Sequence, residues 1–197
     1  MTVVDSDPTL QRAPWAKQRI LDTANELFYD DGIRVVGIDR LISVSSVTKA
    51  TFYKHYGSKD TLILKYIVAR HEAMRVEIGT IIAEAKGPEA ALRGIVAEIS
   101  GRIAQPGFRG CAFLNAAAEF PDPKHAVREV VTNHREWYTE VIAGLLTELG
   151  HPMPGDGADE FSLAIDGAQA GGYAGDPIAA TTSLQRAVER ILKDARS

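Results

Sequence analysis

Residues 37–60 constrain the fold more than any other part of the chain. Their sequence is GIDRLISVSSVTKATFYKHYGSKD. Apolar residues at helical spacing are followed by the small polar pair Ser45-Ser46, which predicts a turn. Thr48 is a suitable N-cap for a second short helix that ends near Tyr56. The segment therefore predicts two short helices joined by a tight turn.

The second of these helices is basic in a chain that is acidic overall. Lys49, Lys54 and Lys59 fall in a stretch without any acidic residue, whereas the 197 residues carry a formal net charge of −4. A helix-turn-helix with phosphate-seeking groups on its second helix is the arrangement that enters the major groove of DNA. Because the whole chain is acidic, we expect a confined DNA contact patch and not indiscriminate binding by the whole surface.

Helical periodicity continues through the rest of the chain, and no segment alternates as a strand would. Helices are predicted to begin at Pro14 and after Ser58, and Gly87-Pro88 and Gly150 predict breaks. The prediction is an all-α protein of about nine helices, preceded by a disordered arm over residues 1–13. One cysteine excludes an internal disulfide, and no apolar run approaches the ~20 residues of a membrane-spanning helix. We expect a soluble, cytoplasmic protein without a membrane partner.

A longer pattern in the N-terminal third surrounds the two short helices. It consists of Ala24, Leu27, Phe28, Gly32, then 48–53 (TKATFY), then Tyr56, Ser58, Lys59, Asp60 and Leu62. With these residues the segment resembles the TetR family of transcriptional regulators. Two departures stand out: Leu41-Ile42 where the family usually has Ile-Ala, and Ser45-Ser46 where it usually has Ala-Gly. A turn glycine adopts positive φ without penalty, so Ser46 is expected to be strained or to change the turn.

The resemblance implies two domains, each with its own set of functional residues. A three-helix DNA-binding domain is expected over 14–59 and a helical effector-binding and dimerisation domain over 60–197. We expect Thr48 to cap the recognition helix and Lys49 to enter the major groove, with the other residues mainly on the backbone of double-stranded DNA. The predicted DNA contacts are Arg40, Thr48, Lys49, Thr51, Tyr53, Lys54, His55, Tyr56 and Lys59.

A small-molecule pocket is expected among the central helices. Apolar stripes that contain single polar residues, with aromatic side chains nearby, are typical of such pockets, although a lone His or Asn in a stripe is often satisfied by a nearby backbone group. The candidate pocket residues are His71, Met74, Ile78, Cys111, Phe113, Asn115, Glu119, His134, Trp137 and Tyr138.

Cys111 has three interpretations: a buried apolar filler, a pocket residue, or a redox or electrophile sensor. The last rests on nearby Arg109 and a predicted helix start, both of which lower a thiol pKa. The histidines and Cys111 show no metal-ligand spacing, so no metal and no cofactor are expected.

The last two helices predict a two-fold dimer. Glycines and alanines recur at helical spacing in the segment FSLAIDGAQAGGYAG, which favours the close approach of another helix, although packing within the chain is the alternative. The candidate interface residues are Ala164, Gly167, Ala168, Gly171, Leu184, Val188 and Ile191.

The prediction is a repressor that binds a palindromic operator as a homodimer and is released by a small-molecule effector. Two alternatives remain. One is a DNA-binding protein without an effector, and the other is a helical enzyme that uses Cys111. The chain shows no nucleophile elbow, phosphate loop or paired-carboxylate site, so no catalytic residue is assigned and we expect no enzyme activity.

Overall fold

The structure, a computed structural model, describes the backbone of residues 8–195 and the side chains of residues 15–195. Nine α-helices and no strand are present in that range, which confirms the all-α prediction. The helices are α1 (Pro8–Asp31), α2 (Ile38–Val44), α3 (Lys49–Tyr56), α4 (Lys59–Glu84), α5 (Pro88–Ile103), α6 (Ala112–Glu119), α7 (Ala126–Glu148), α8 (Pro154–Ala174) and α9 (Pro177–Asp194).

Helix α1 begins earlier than the sequence indicates. It starts at Pro8 and not at Pro14, so residues 8–13, expected in a disordered arm, are helical. Pro8 suits a first helical turn because it has no N–H to donate, but this start leaves Pro14 inside the helix, where proline is disfavoured. The remainder of the predicted arm, residues 1–7, lies outside the described residues.

The chain divides into two compact units between Val68 and Ala69. The predicted domain boundary after residue 59 falls nine residues earlier, at the start of α4, a helix that continues through both units. In the first unit, α1 to α3 and the start of α4 enclose one apolar core. Fully buried side chains in this core include Ile20, Leu41, Phe52, Leu62 and Tyr66.

The turn between α2 and α3 contains a serine with left-handed backbone angles. Ser46 has a φ of 52°, the one non-glycine residue with positive φ in the described range. Its neighbour Ser45 is buried, and the Ser45 hydroxyl donates to the Leu41 carbonyl over 2.6 Å. The turn of the helix-turn-helix is therefore built with a serine in the left-handed region, as the departure from the family pattern suggested.

The second unit contains a larger core formed by α5, α7, α8, α9 and the last turns of α4. Gly172 of α8 lies where a Cβ would overlap the side chain of Ile103, so a glycine there permits the close approach of α5 and α8. This contact accounts for one of the small residues in α8 by packing within a single chain. None of the described helices has the length and apolar character that crossing a membrane requires.

Four of the residues predicted for the dimer interface belong to this core. Leu184, Val188 and Ile191 are no more than 3% exposed, and Ala168 is 5% exposed. They pack against their own chain, because the apolar face of α9 is already covered by α5 and α8. Little of these four side chains is left exposed to a partner, and their place in a dimer interface stays a prediction. Gly167 and Gly171 are exposed and Ala164 is half-buried, so those three remain candidates for an interface.

Candidate functional site

The N-terminus of α3 is built by a threonine cap. Thr48 has extended backbone angles, and its hydroxyl oxygen accepts from the Thr51 N–H over 3.1 Å. The Thr48 and Thr51 hydroxyls also lie 2.8 Å apart and share a hydrogen bond. The predicted N-cap is therefore confirmed, and Lys49 is the first residue of the helix.

The outward face of α3 carries basic and aromatic groups. Lys49 and Lys54 are exposed, Tyr53 is 41% exposed, and Thr51 and His55 are half-buried. Phe52 is buried in the core on the other side of the helix, and its ring packs edge-on against Tyr53 at 5.5 Å between ring centroids. An exposed lysine beside a helix N-terminus favours contact with the anionic backbone of a nucleic acid, because the free N–H groups and the helix dipole also attract negative charge.

Tyr56 does not share this outward face, contrary to the sequence-based expectation. The side chain is 4% exposed, and its hydroxyl donates to the Lys17 carbonyl of α1 over 2.9 Å. Burial, with a smaller contribution from Asp22, raises the pKa of Tyr56 to about 12. The residue therefore ties α3 to α1, and the prediction of a phosphate contact is corrected for Tyr56.

Arg40 and Lys59 are the two predicted contacts outside α3, and each has a partner within the chain. Arg40 forms an ion pair with Asp31 at 2.7 Å, and both side chains are well exposed. The Lys59 ammonium donates to the Arg34 carbonyl over 3.3 Å and lies 5.9 Å from the centre of the Phe28 ring. Exposed pairs of this kind contribute about 0–1 kcal/mol, so a phosphate could compete for either side chain.

The second unit holds a cavity of about 70 Å³ among α4 to α8. Half of the ten predicted pocket residues line it: Met74, Cys111, Phe113, His134 and Tyr138. The other five lie elsewhere. Ile78 is part of the core, and the exposed Asn115 amide donates to the Arg109 carbonyl over 2.8 Å. Glu119, His71 and Trp137 are half-buried and do not line the cavity.

His134, which lines the cavity, forms a pair with His71, which does not. Their Nδ1 atoms lie 3.0 Å apart, so one ring donates and the other accepts. The ring of Phe113 stacks on His134 at 3.5 Å, and Trp137 packs edge-on against His71. Burial, then the neighbouring His71 and Arg135, lower the pKa of His134 to about 3, and burial also lowers the pKa of His71. Both imidazoles are therefore neutral at physiological pH.

The polar side of the cavity was not predicted. It is formed by Arg102, Arg135, Thr139, Ser162, Asp166 and Gln169. Both arginines are paired: Arg102 with Glu77 and, at 3.1 Å, Glu98, and Arg135 with Asp166 at 2.7 Å. A signal for these residues was present in the sequence, since Arg135 and Thr139 on α7, and Ser162 and Asp166 on α8, recur at four-residue spacing on one helical face.

Cys111 lines the cavity as the N-cap residue of α6. Burial raises the pKa of its thiol, although the N–H groups of Leu114 and Phe113 act in the opposite direction. The nearby Arg109 side chain is directed to Tyr173, where its guanidinium contacts the hydroxyl and the ring. The environment therefore keeps the thiol protonated, which argues against the sensor and nucleophile interpretations. Within the described residues, no three metal-ligating side chains are placed to hold an ion.

Comparisons with known proteins agree with this architecture. A sequence model for bacterial regulatory proteins of the tetR family matches residues 20–66. The crystal structure of a TetR-family transcriptional regulator from Streptomyces coelicolor is 36% identical and superposes with a TM-score of 0.90, covering 93% of this chain and 97% of that one. A TetR-family regulator from Agrobacterium tumefaciens is 19% identical, with a TM-score of 0.81 and coverage of 90% of this chain and 98% of that one. The reduced form of NemR from E. coli is 16% identical, with a TM-score of 0.76 and coverage of 89% and 94%. The last two show similarity of fold alone, and no curated protein matches the chain.

Proposed function

Because this chain belongs to the TetR family of transcriptional regulators, we propose that it represses transcription by binding a palindromic operator as a homodimer. A small-molecule effector in the second unit releases the DNA. The observation that carries the proposal is the capped helix α3, with Lys49 at its first position and an exposed face that includes Tyr53 and Lys54.

Helix α3 is proposed to read the operator from its N-terminal end. Lys49 donates to guanine O6 or N7 in the major groove, because a lysine at the first helical position extends toward base edges. Tyr53, Lys54 and His55 contact phosphate oxygens and fix the register of the helix without reading sequence. Arg40 exchanges its exposed pairing with Asp31 for a phosphate when DNA binds.

The dimer is proposed to form through the exposed sides of α8 and α9. Leu163 of α8 is 66% exposed and Ile178 of α9 is 77% exposed, so each helix leaves a large apolar side chain uncovered by its own chain. Gly167 adds to this surface, since a Cβ there would meet no other atom of the same chain. Two copies related by a two-fold axis would place their recognition helices at half-sites about 34–36 Å apart or a multiple of that spacing.

Release by an effector is proposed to act through α4. This helix begins at Lys59 and also contains Met74, which lines the cavity. The cavity volume of about 70 Å³ is well below the roughly 300 Å³ of typical ligand pockets, so an effector has to move the surrounding side chains. If the enlarged cavity is less compatible with DNA binding, DNA weakens effector binding by the same factor as the effector weakens DNA binding.

The small cavity also favours a second candidate, a DNA-binding repressor without an effector. In that case the cavity residues serve only to pack the second unit. The two candidates differ in a linkage experiment, because only the first predicts compounds whose affinity differs between the free dimer and the operator-bound dimer.

The test of DNA recognition is selection of bound duplexes from a random pool by the purified protein. We expect a palindrome with two half-sites, and Lys49→Ala should lose preference at one base position of each half-site. Lys65→Ala is the matched control, since it removes the same charge from an exposed position on α4. Recovery of no motif, or equal effects of the two substitutions, would reject the proposed reading by α3.

A further inference from the structure

Tyr138 of α7 is unusual among the cavity residues because its hydroxyl is unsatisfied. The oxygen is buried and has no hydrogen-bonding partner within the described residues. Burying a hydroxyl without a partner costs about 1–3 kcal/mol, so such groups call for an explanation. The Ser162 and Thr139 hydroxyls, which also line the cavity, lie 3.3 Å apart and have each other as partners.

The surroundings place the Tyr138 hydroxyl on the polar side of the cavity. Its pKa is raised by burial first, then by Asp166 and Cys111, whereas Arg102 acts in the opposite direction. All three of these neighbours line the cavity. The phenol therefore stays protonated and is available as a hydrogen-bond donor at the edge of the cavity.

Both arginines of the cavity wall are already paired with carboxylates. Arg135 is paired with Asp166, and Arg102 is paired with Glu77 and Glu98. An anionic ligand would have to displace one of these carboxylates and would be repelled by Asp166. A neutral ligand neither displaces a carboxylate nor is repelled by Asp166, and it would accept the hydrogen bond that the Tyr138 hydroxyl lacks.

The remaining walls are suited to a flat apolar body. Phe108, Phe113 and the neutral His134 ring line the same cavity as Tyr138. Phe108 lies in the connection between α5 and α6, and Met74 has a flexible side chain, so both can move to admit a single ring. Aromatic rings and aliphatic side chains around a few polar groups are typical of sites for such ligands.

We infer that the cavity binds an uncharged, single-ring molecule with one hydrogen-bond acceptor, and that the Tyr138 hydroxyl donates to that acceptor. The inference rests on the proposed effector site in the second unit. It identifies the chemical class of the effector and a residue that determines specificity.

The experiment compares three probes on the full-length protein by calorimetry without DNA. Acetophenone is neutral with an acceptor, ethylbenzene has no acceptor, and benzoate is anionic. We expect acetophenone to bind about tenfold more tightly than either of the others, which corresponds to one neutral hydrogen bond in a buried site. Tyr138→Phe should reduce the affinity for acetophenone to that for ethylbenzene and leave ethylbenzene binding within about twofold.

Tyr173→Phe is the matched control, because Tyr173 is a tyrosine of the same unit that does not line the cavity. It should keep the preference for acetophenone, and thermal melts of both variants verify that they fold. Equal binding of acetophenone and ethylbenzene, a preference for benzoate, a preference that persists in Tyr138→Phe, or no binding of any probe would each overturn the inference. Operator selection is measured separately, so failure of DNA recognition is distinguished from failure of this ligand assignment.

Discussion

The left-handed serine in the helix-turn-helix makes a quantitative prediction about stability. Ser46 has a φ of 52°, a region that costs a residue with a Cβ about 1–2 kcal/mol and costs glycine almost nothing. Glycine adds freedom to the unfolded chain, which offsets about 0.4–1 kcal/mol of that gain. We therefore expect Ser46→Gly to increase the free energy of unfolding by roughly 0.5–1 kcal/mol.

The assay is urea unfolding of the full chain followed by far-UV circular dichroism. With a slope of about 1–3 kcal/mol per molar urea, the expected gain moves the midpoint of the first unit upward by about 0.2–1 M. Ser43→Gly is the matched control. Ser43 is exposed within α2, so glycine there lowers helix propensity and should reduce stability by about 0.5 kcal/mol.

A neutral or destabilising Ser46→Gly substitution would contradict backbone strain at this turn. A gain of the same size in Ser46→Ala would also refute it, because alanine retains the Cβ that causes the strain. The structure predicts that Ser46→Gly raises the free energy of unfolding and that Ser43→Gly lowers it.

Three further substitutions test the other parts of the account. The pKa of His134 in the folded state, about 3, is below the unfolded value of 6.5, so its contribution to stability is complete above pH 6.5 and is lost as pH falls. The free energy of unfolding should therefore fall by roughly 1 kcal/mol between pH 7.5 and 5.5. Urea titrations at each pH check this, and His134→Gln should flatten the dependence. Tyr56→Phe removes the hydrogen bond to the Lys17 carbonyl and should lower the free energy of unfolding by about 1 kcal/mol. Tyr53→Phe, at an exposed position, is the control and should change it by no more than about 0.5 kcal/mol. Equal losses of stability for the two variants in thermal or urea unfolding would contradict the role assigned to Tyr56. Lys49→Ala should cost about 1–3 kcal/mol at one operator base pair in fluorescence anisotropy; a uniform loss on all sequences would make it a phosphate contact.

Local signals in the sequence predicted the helices well because they act over a few residues. The Thr48 cap, the Ser58 cap and the break at Gly87-Pro88 all occur where expected, and the Ser58 hydroxyl accepts from the Thr61 N–H over 3.1 Å. The sequence placed the start of α1 at Pro14 because a proline inside a helix is disfavoured, whereas α1 begins at Pro8 and includes Pro14.

Burial set by contacts between distant helices was harder to predict. Tyr56 lies among basic and polar residues in the sequence, yet its hydroxyl reaches α1 across 39 positions of the chain. Leu184 and Val188 form an apolar face that would suit either a partner helix or the chain's own core, and packing within the chain decided for the core.

Charged residues in the cavity were missed for a related reason. Arg102 and Asp166 appear in the sequence as polar positions of amphipathic helices, which usually face solvent. Their ion pairs with Glu77 and Arg135 allow them to line the cavity instead, and each pair depends on how two separate helices pack together.

The most direct test of the central claim compares affinity for the selected operator with affinity for a shuffled duplex of the same length, over a series of salt concentrations. Sequence-specific reading by α3 predicts a preference of at least about 10³ at physiological salt. Equal affinities for the two duplexes, both falling steeply as salt rises, would show that the protein reads only the phosphate backbone and would contradict the account.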